Sequence, residues 1–535
     1  MRQFGIFCVV VFALILWSFP SCAKRGFING GPQDSIPPAV RLTLPANGST
    51  NFNAKEIKIA FDEYVKLKDA NKQLIISPPL KEAPMIYPTA ASKQITITFK
   101  DTLKANTTYT LNFGQSIQDN NEGNALNQYK YVFSTGTYID SLFLEGRISD
   151  AFEQKPDNFV SVMLYENNAT FNDSTIYKER PYYVTNTLDS ARTFKLENLK
   201  AGSYFLVALK DKNNNLQFDP KTEKIAFYPT PITLPDPAIY ELELFRETPA
   251  FKTLRPAQAS GNQIVIGYEG APQSVAFEIS DFKDTFPIRV SKLKDKDSLQ
   301  LWLPKIKADS LQIKVKKDLF ERTYNLPFKK IKNDTLTLSP SPSGTIHYRD
   351  TLTFSASTPI ETWDKSKFQL INKDSVAVPF QVSYQAWHKQ LKVHFEREEN
   401  QKYQLLILPG GISDYLGVQN DSLKIRLQTR AHTEYGNLRI KLENMPSFPI
   451  IVQLVDDKGK ILALDYTVEE KELYFALLQP NKFTVRLIFD ENKNRVWDTG
   501  SYILKRQAEE VYYYPSKIDV RANWDVEQTI RYNAP

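Results

Sequence analysis

Two short loops, far apart in the chain, repeat one spacing of side-chain oxygens. Aspartate stands at the first and ninth positions and asparagine at the third and fifth. Alternate spacing lets a tight loop turn several oxygens towards one centre, as calcium requires. The sequence therefore allows a calcium site in each loop. The residues are Asp211, Asn213, Asn215 and Asp219 in the first loop, and Asp490, Asn492, Asn494 and Asp498 in the second.

A hairpin loop held by its own Asx turns is the alternative. Calcium loops of this type have glycine at the sixth position, where Leu216 and Arg495 stand here. The glutamate expected at the twelfth position is missing, although Glu223 follows one place late in the first loop. Asp and Asn side chains in turns often accept hydrogen bonds from the neighbouring backbone. Both interpretations stay open, and we expect no other cofactor.

The N-terminus has the order of a secretory signal, with Arg2, an apolar stretch from Phe4 to Trp17, and then small residues. Residues 19–22, Phe-Pro-Ser-Cys, resemble a bacterial lipobox. The resemblance implies cleavage before Cys22 and a lipid on its thiol. Cys8 is the other cysteine of the chain and would leave with the signal, and a secreted protein rarely keeps a lone free thiol. We therefore expect a signal peptide over 1–21, with a lipid on Cys22 and a tether over 22–38.

The lipid would place the protein at the outer membrane. Exported surface lipoproteins of Bacteroidota tend to carry acidic residues just after the cysteine, whereas Lys24 and Arg25 stand here. The cell surface and the periplasmic face both stay open.

A third pattern recurs along the chain: Asp, then Ser or Thr, then a small or aliphatic residue. It resembles the O-glycosylation sequon of Bacteroidota. The alternative is turn chemistry followed by the start of a strand. The hydroxyl residues are Ser35, Thr102, Ser141, Ser190, Ser298, Ser310, Thr335, Thr351, Ser375 and Ser422.

Signatures of catalysis are missing from the sequence. It contains no Gly-x-Ser-x-Gly elbow, no His-Glu-x-x-His and no glycine-rich phosphate loop. The 67 Lys and Arg nearly balance the 61 Asp and Glu, which argues against a nucleic-acid partner. We expect a protein that is not an enzyme, with a membrane and outer-membrane proteins as its partners.

Short alternating runs such as Ile57–Phe61, Ile95–Phe99 and Tyr109–Phe113 indicate strands with one buried face. No long stretch sustains the period of a helix. The sequence predicts an all-β chain of tandem antiparallel β-sandwiches in an elongated array.

Residues 39–137 resemble the bacterial Ig-like family, on Ile-Ala-Phe-Asp-Glu at 59–63 and Phe-Ser-Thr-Gly at 133–136. Residues 140–246 resemble transthyretin-like or carboxypeptidase-regulatory-like domains, on the segment 194–204. The echo Asn400-Gln401-Lys402-Tyr403 of Asn106-Thr107-Thr108-Tyr109 predicts a second Ig-like domain, and the repeated loop predicts a second transthyretin-like domain. The predicted ranges are 345–431 and 432–535 for these second copies, with 247–344 as an unassigned sandwich between the pairs.

The tether and first domain also resemble Bacteroidota outer-membrane lipoproteins. The function we expect is that of a scaffold or accessory subunit of an outer-membrane protein complex. A surface adhesin or glycan-binding lipoprotein is one alternative. A hydrolase with an unrecognised site in 247–344 is the other.

Overall fold

The computed structural model describes residues 34–188, 192–281 and 285–533. Cys22 and Ser190 lie outside the described residues. Asp140 ends one compact unit and Ser141 begins a second. Regular structure is almost entirely strand, which confirms the all-β class of antiparallel sandwiches. The described residues contain no helix that is both long and apolar enough to cross a membrane.

The first unit is one sandwich with its own core of buried side chains, among them Ile57, Ile97, Leu111 and Phe133. One sheet has the order β1-β2-β5-β4 with β7 also on β2, and the other is β3-β6-β8. The strands are β1 Val40–Leu44, β2 Glu56–Leu67, β3 Ile75–Ser77, β4 Met85–Tyr87, β5 Ser92–Thr98, β6 Thr108–Asn112, β7 Ile117–Asp119 and β8 Lys130–Ser134, with helix α1 Ala70–Gln73.

The second sandwich begins the second unit. Its larger sheet is β11-β10-β13-β14 with β15 also on β13, and its smaller sheet is β12-β9-β16, where β16 runs parallel to β9. The elements are β9 Leu142–Asp150, β10 Ser161–Glu166, α2 Thr175–Lys178, β11 Tyr183–Asn186, β12 Thr193–Leu199, β13 Gly202–Leu209, β14 Ile225–Phe227, β15 Ile232–Leu234 and β16 Ile239–Leu244.

The third sandwich lies in the block to which the sequence assigned no family. Its sheets are β17-β19-β23-β22, with β18 also on β19, and β21-β20-β24-β25. Ile264, Leu301, Ile313 and Leu326 lie in the core between them. The strands are β17 Lys252–Thr253, β18 Ala257–Ser260, β19 Gln263–Glu269, β20 Ala276–Ser280, β21 Thr285–Phe286, β22 Arg289–Lys292, β23 Ser298–Trp302, β24 Ser310–Lys317 and β25 Phe320–Pro327.

The fourth sandwich repeats the connectivity of the first. Its sheets are β26-β28-β32-β31, β27-β35-β33-β30 and the pair β29-β34. The elements are β26 Leu338–Ser341, β27 Gly344–Thr345, β28 Leu352–Ala356, β29 Ile360–Trp363, β30 Phe368–Ile371, β31 Phe380–Gln385, β32 Gln390–Phe395, β33 Lys402–Ile407, β34 Ile412–Asp414 and β35 Leu423–Gln428, with 3₁₀ turns at Lys365–Lys367, Ala386–His388 and His432–Glu434.

Strand β26 of the fourth sandwich begins several residues before the boundary expected at 344/345. Leu338–Ser341 pairs with Leu352–Ala356, and Leu336 and Leu338 pack against the core of the fourth sandwich. Pro340 and Pro342 interrupt the strand pattern in this part of the sequence. Proline is tolerated here because β26 is an edge strand.

The fifth sandwich repeats the connectivity of the second. Its sheets are β38-β37-β40-β41, with β42 also on β40, and β39-β36-β43, where β43 runs parallel to β36. The strands are β36 Gly436–Glu443, β37 Ile450–Val455, β38 Ile461–Thr467, β39 Glu472–Leu478, β40 Asn481–Phe489, β41 Val511–Tyr513, β42 Ile518–Val520 and β43 Asp525–Arg531.

The repetition extends to individual hydrogen bonds. The Tyr109 hydroxyl accepts from the amide of Lys104 at 2.9 Å, and the Tyr403 hydroxyl accepts from that of Glu398 at 2.8 Å. Between each pair of residues stands an asparagine with left-handed backbone, at φ 49° for Asn106 and 53° for Asn400. The sequence echo therefore marks the same turn in both sandwiches.

Within the second unit, the sandwiches contact one another both along the chain and across it. Contacts link the second sandwich to the third, the third to the fourth and the fourth to the fifth, as the bonds Lys221–Glu269, Asn262–Tyr415 and Arg349–Ala476 show. The fifth then contacts the second again, for example where Gln507 donates to the Phe227 carbonyl. The physical reason lies in strands such as β37, which is buried on both faces and needs a cover outside its own sandwich.

Candidate functional site

The first repeated loop follows strand β13 and is organised by Asp211. Its carboxylate accepts hydrogen bonds from the amides of Asn213, Asn215 and Leu216, at 3.1, 3.3 and 2.8 Å. Asn214 and Leu216 have left-handed backbones, at φ 54° and 58°. The carboxylate thus stabilises a conformation that usually calls for glycine.

The second loop follows strand β40 and has the same construction. The buried Asp490 accepts from the amides of Asn494 and Arg495, and the left-handed residues are Lys493 and Arg495, at φ 64° and 67°. The side chains of Asn492 and Asn494 both donate to Asp498, at 2.6 and 2.5 Å. Positions three, five and nine therefore converge in this copy.

A buried glutamate closes each loop. Glu223 accepts from the amides of Lys212 and Asp219, and Glu509 accepts from those of Glu491 and Asp498. Burial is the largest influence on both carboxyls and raises their pKa above the usual value, although the amide donors lower it.

The sequence reasoning noted Glu223 only as a misplaced calcium ligand and missed Glu509. The available signal was a glutamate shortly before an apolar strand in both copies.

The hydrogen bonding of both loops is that of Asx turns, in which the aspartate oxygens accept from backbone amides, and in the second loop Asn492 and Asn494 turn their amide nitrogens towards Asp498. Within the described ranges, no group of three or more His, Cys, Asp or Glu side chains is placed to hold a metal ion. The calcium site and the structural loop both stay predictions.

The two copies differ in length directly after the loops. Glu223 follows Asp219 by four positions, whereas Glu509 follows Asp498 by eleven. The longer connection of the second copy, residues 499–508, lies against the second sandwich. Thr499 donates to the Arg246 carbonyl at 2.7 Å, and Gln507 donates to that of Phe227 at 3.0 Å. We call this segment the insertion hook.

Tyr502 is the buried centre of the hook. Its side chain is 2% exposed and meets Phe227 edge-on, with 5.4 Å between ring centroids. The Lys505 ammonium lies 3.5 Å from the centroid of the Tyr502 ring and pairs with Asp173 at 2.7 Å. Because the Tyr502 ring is buried against Phe227 and covered by the Lys505 ammonium, the hook is packed firmly on the second sandwich.

A reciprocal contact comes from the loop after β9 in the second sandwich. The Phe152 ring packs against Trp497, with 4.6 Å between the ring centroids. The guanidinium carbon of Arg486 lies 4.4 Å from the centroid of the Phe152 ring. Tyr513 donates its hydroxyl proton to the Phe152 carbonyl at 2.7 Å. Arg486 is buried in strand β40 and donates to Gln453. Each copy therefore contributes one aromatic anchor to the other.

A cleft of about 960 Å³ lies beside this interface, between the second, third and fifth sandwiches. Its charges are mixed, and Glu269 at its wall pairs with Lys221 and Lys252 at 3.2 and 3.0 Å. These lysines hold the pKa of the Glu269 carboxyl below its usual range. The two ion pairs hold Glu269 in place at the wall of the cleft.

The serines and threonines of the possible glycosylation pattern differ in accessibility. Six are exposed and three are half-buried, while Ser190 lies outside the described residues. The pattern stays a prediction, with Ser298, Ser310 and Thr351 less accessible to a transferase. The exposed ones are Ser35, Thr102, Ser141, Thr335, Ser375 and Ser422.

Comparison with known families identifies the first sandwich. Residues 34–135 match the model of a family described as Bacterial Ig-like domain. The resemblance inferred for this part of the sequence is thereby confirmed. No curated protein matches the chain.

Several solved structures are similar to the chain at low identity. They include the surface layer protein SbsC, domains 1–6, at 12% identity, TM-score 0.15 and coverage of 91% of this chain and 67% of that one. BcpA, the major pilin subunit of Bacillus cereus, has 10% identity, TM-score 0.14 and coverage of 73% and 99%. The native conformation of E. coli alpha-2-macroglobulin has 9% identity, TM-score 0.13 and coverage of 86% and 41%.

Proposed function

We propose that the protein is a non-enzymatic envelope lipoprotein, tethered through Cys22, whose sandwiches serve as a scaffold or accessory subunit of an outer-membrane protein complex. The observation that carries the proposal is the pair of reciprocal contacts between the second and fifth sandwiches, made by the insertion hook and by Phe152. We call these contacts the interlock. Loops of both sandwiches are used to hold the two domains together, through the ring contacts of Tyr502 and Phe152.

The anchor is tested by labelling cells with a radioactive or clickable palmitate. The wild-type chain should incorporate the label, and Cys22→Ser should remain as an unlabelled precursor. Cys8→Ser is the matched control, because that residue would leave with the signal, and it should label normally. Labelling of Cys22→Ser would overturn the anchor.

The accessory role is tested by recovering the tagged protein from gently solubilised outer membrane. We expect a β-barrel protein in stoichiometric amount. Recovery of the chain alone from membranes in which it is abundant would overturn this role.

An adhesin and a hydrolase sited in 247–344 remain alternative proposals.

A further inference from the structure

Two connections at one end of the third sandwich carry the same tripeptide. Lys305-Ile306-Lys307 follows strand β23, and Lys330-Ile331-Lys332 follows strand β25. Both border a groove of about 930 Å³, whose far side is formed by Leu416 and Val418 of the fourth sandwich. Lys329 adds a fifth ammonium group, and all five lysines are exposed. We call this feature the lysine groove.

Positive charge is concentrated at this groove. Its lining holds five lysines against two acids, Asp309 and Asp334, a difference of +3, whereas the whole chain carries a formal net charge of only +6. Asp334 already accepts a hydrogen bond from the Ser260 hydroxyl at 2.8 Å. Among the described residues, none pairs with these lysine ammonium groups. The charges are therefore available to a ligand.

The backbone of the second tripeptide is fixed in place. The Gln258 amide group bonds both the N–H and the carbonyl of Lys329, at 2.9 and 2.8 Å, and the Gly261 amide donates to the Lys332 carbonyl at 2.9 Å. A side chain at Gly261 would lie 2.4 Å from the Ile331 carbonyl oxygen, so only glycine permits this approach. The lysines of this segment therefore extend from a backbone that is already fixed before any ligand binds.

The geometry favours an extended polymer over a small anion. Alternate residues of an extended chain stand about 6.6 Å apart, so each tripeptide presents a pair of separated cations. All five lysines are exposed, so the described lining of the groove offers no buried cationic pocket that would enclose a single small anion. A chain with repeated negative groups satisfies several such cations at once.

Single-stranded nucleic acid is disfavoured by the rest of the lining. Its bases bind by stacking on exposed aromatic rings. Among the described residues that line the groove, Phe328 is the one aromatic, and it is buried. We propose that the lysine groove binds an anionic polysaccharide, a sugar chain that carries repeated carboxylate or phosphate groups. This inference is independent of the lipid anchor and of the accessory role.

The test uses the purified chain and measures binding by titration calorimetry. The probes are polygalacturonate, phosphorylated dextran, neutral dextran and single-stranded DNA. The groove variant replaces Lys305, Lys307, Lys330 and Lys332 by glutamine. The control variant makes the same change at Lys294, Lys296, Lys458 and Lys460, which are exposed in loops away from the groove, so both variants lose four charges.

We expect the anionic polysaccharides to bind, with an affinity that falls as salt rises, and neutral dextran not to bind. The groove variant should lose about tenfold or more in affinity, because paired contacts to a polyanion release counterions. The control variant should keep most of the affinity. If either anionic polysaccharide binds more tightly than single-stranded DNA, the proposal is supported. The tighter of the two polysaccharides then shows whether the groove prefers carboxylate or phosphate groups.

Equal losses in both four-lysine variants would overturn the proposal, because binding would then depend on net charge alone. So would the absence of binding, or DNA that binds more tightly than both polysaccharides. A milder variant, K330Q/K332Q, keeps the test decisive if the full groove variant is poorly folded.

Discussion

The Tyr502 amide donates a hydrogen bond of 2.5 Å to the Glu247 carboxylate. Glu247 belongs to the linker that leaves the second sandwich, and Tyr502 belongs to the insertion hook of the fifth. The bond therefore joins the second and fifth sandwiches, which share one connectivity. Burial raises the pKa of Glu247, even though the Tyr502 amide lowers it.

Tyr502→Ala should detach the hook from the second sandwich. Truncation of a buried aromatic ring costs about 3–5 kcal/mol, because packing is lost and a cavity remains. Hydrogen exchange should show a smaller free energy of local opening at Ile225–Phe227, the strand that the ring covers. Tyr474→Ala, at an exposed ring of the same sandwich, is the control and should change little. Unaltered exchange at Ile225–Phe227 in the Tyr502 variant would show that the hook does not stabilise this strand.

Glu247→Gln should change how the stability of the interface depends on pH. The pKa of Glu247 is raised above its ordinary value of 4.5, so the folded state holds this proton more tightly than the unfolded state. Stability from this group is complete below pH 4.5 and is lost as pH rises through the folded pKa. The glutamine keeps an acceptor for the Tyr502 amide and should flatten that decline. Hydrogen exchange of the hook from pH 4 to 7 measures it, and an unchanged slope in the variant would contradict it.

The sandwiches could be predicted because the alternation of buried and exposed side chains is visible within each short stretch of sequence. Ile57, Ile59 and Phe61 alternate along one strand, and all three are buried in the core. The echo between Asn106 and Asn400 was equally reliable, since a left-handed turn has few acceptable residues.

The interlock was not predicted because it depends on surfaces that meet only in the folded chain. One signal was available: β37 reads Ile-Ile-Val-Gln-Leu-Val, which is apolar on both faces and indicates a sheet covered on both sides. Nothing local identifies the cover, however. Phe152 and Tyr502 stand in loops 350 residues apart, where aromatic side chains have no periodicity to interpret.

Asp490→Ala should destabilise the second repeated loop whether or not calcium is present. The buried carboxylate accepts two backbone amides and holds two left-handed residues, and loss of such charged hydrogen bonds costs roughly 2 kcal/mol. Thermal unfolding with and without millimolar calcium measures both effects. Glu491→Ala, an exposed neighbour, is the control. A calcium-dependent rise in the wild-type melting temperature that Asp498→Asn abolishes would contradict a purely structural loop and assign the cation.

Lys389→Met should remove a pH dependence of folding stability that arises at the junction between the third and fourth sandwiches. Lys389 is buried, donates to Gln300 and lies over the Trp302 ring at 4.7 Å. Burial lowers its pKa from 10.5 to about 8, so between these values the unfolded state binds the proton and the folded state does not. Stability should therefore rise with pH across this window in the wild type. Methionine keeps the apolar length without the charge, so the variant should be more stable near neutral pH and show no such rise. Urea unfolding at pH 7.5 and 9.5 measures the difference, with the exposed Lys424→Met as control. If Lys389→Met kept the wild-type slope, the buried ammonium would not be its source.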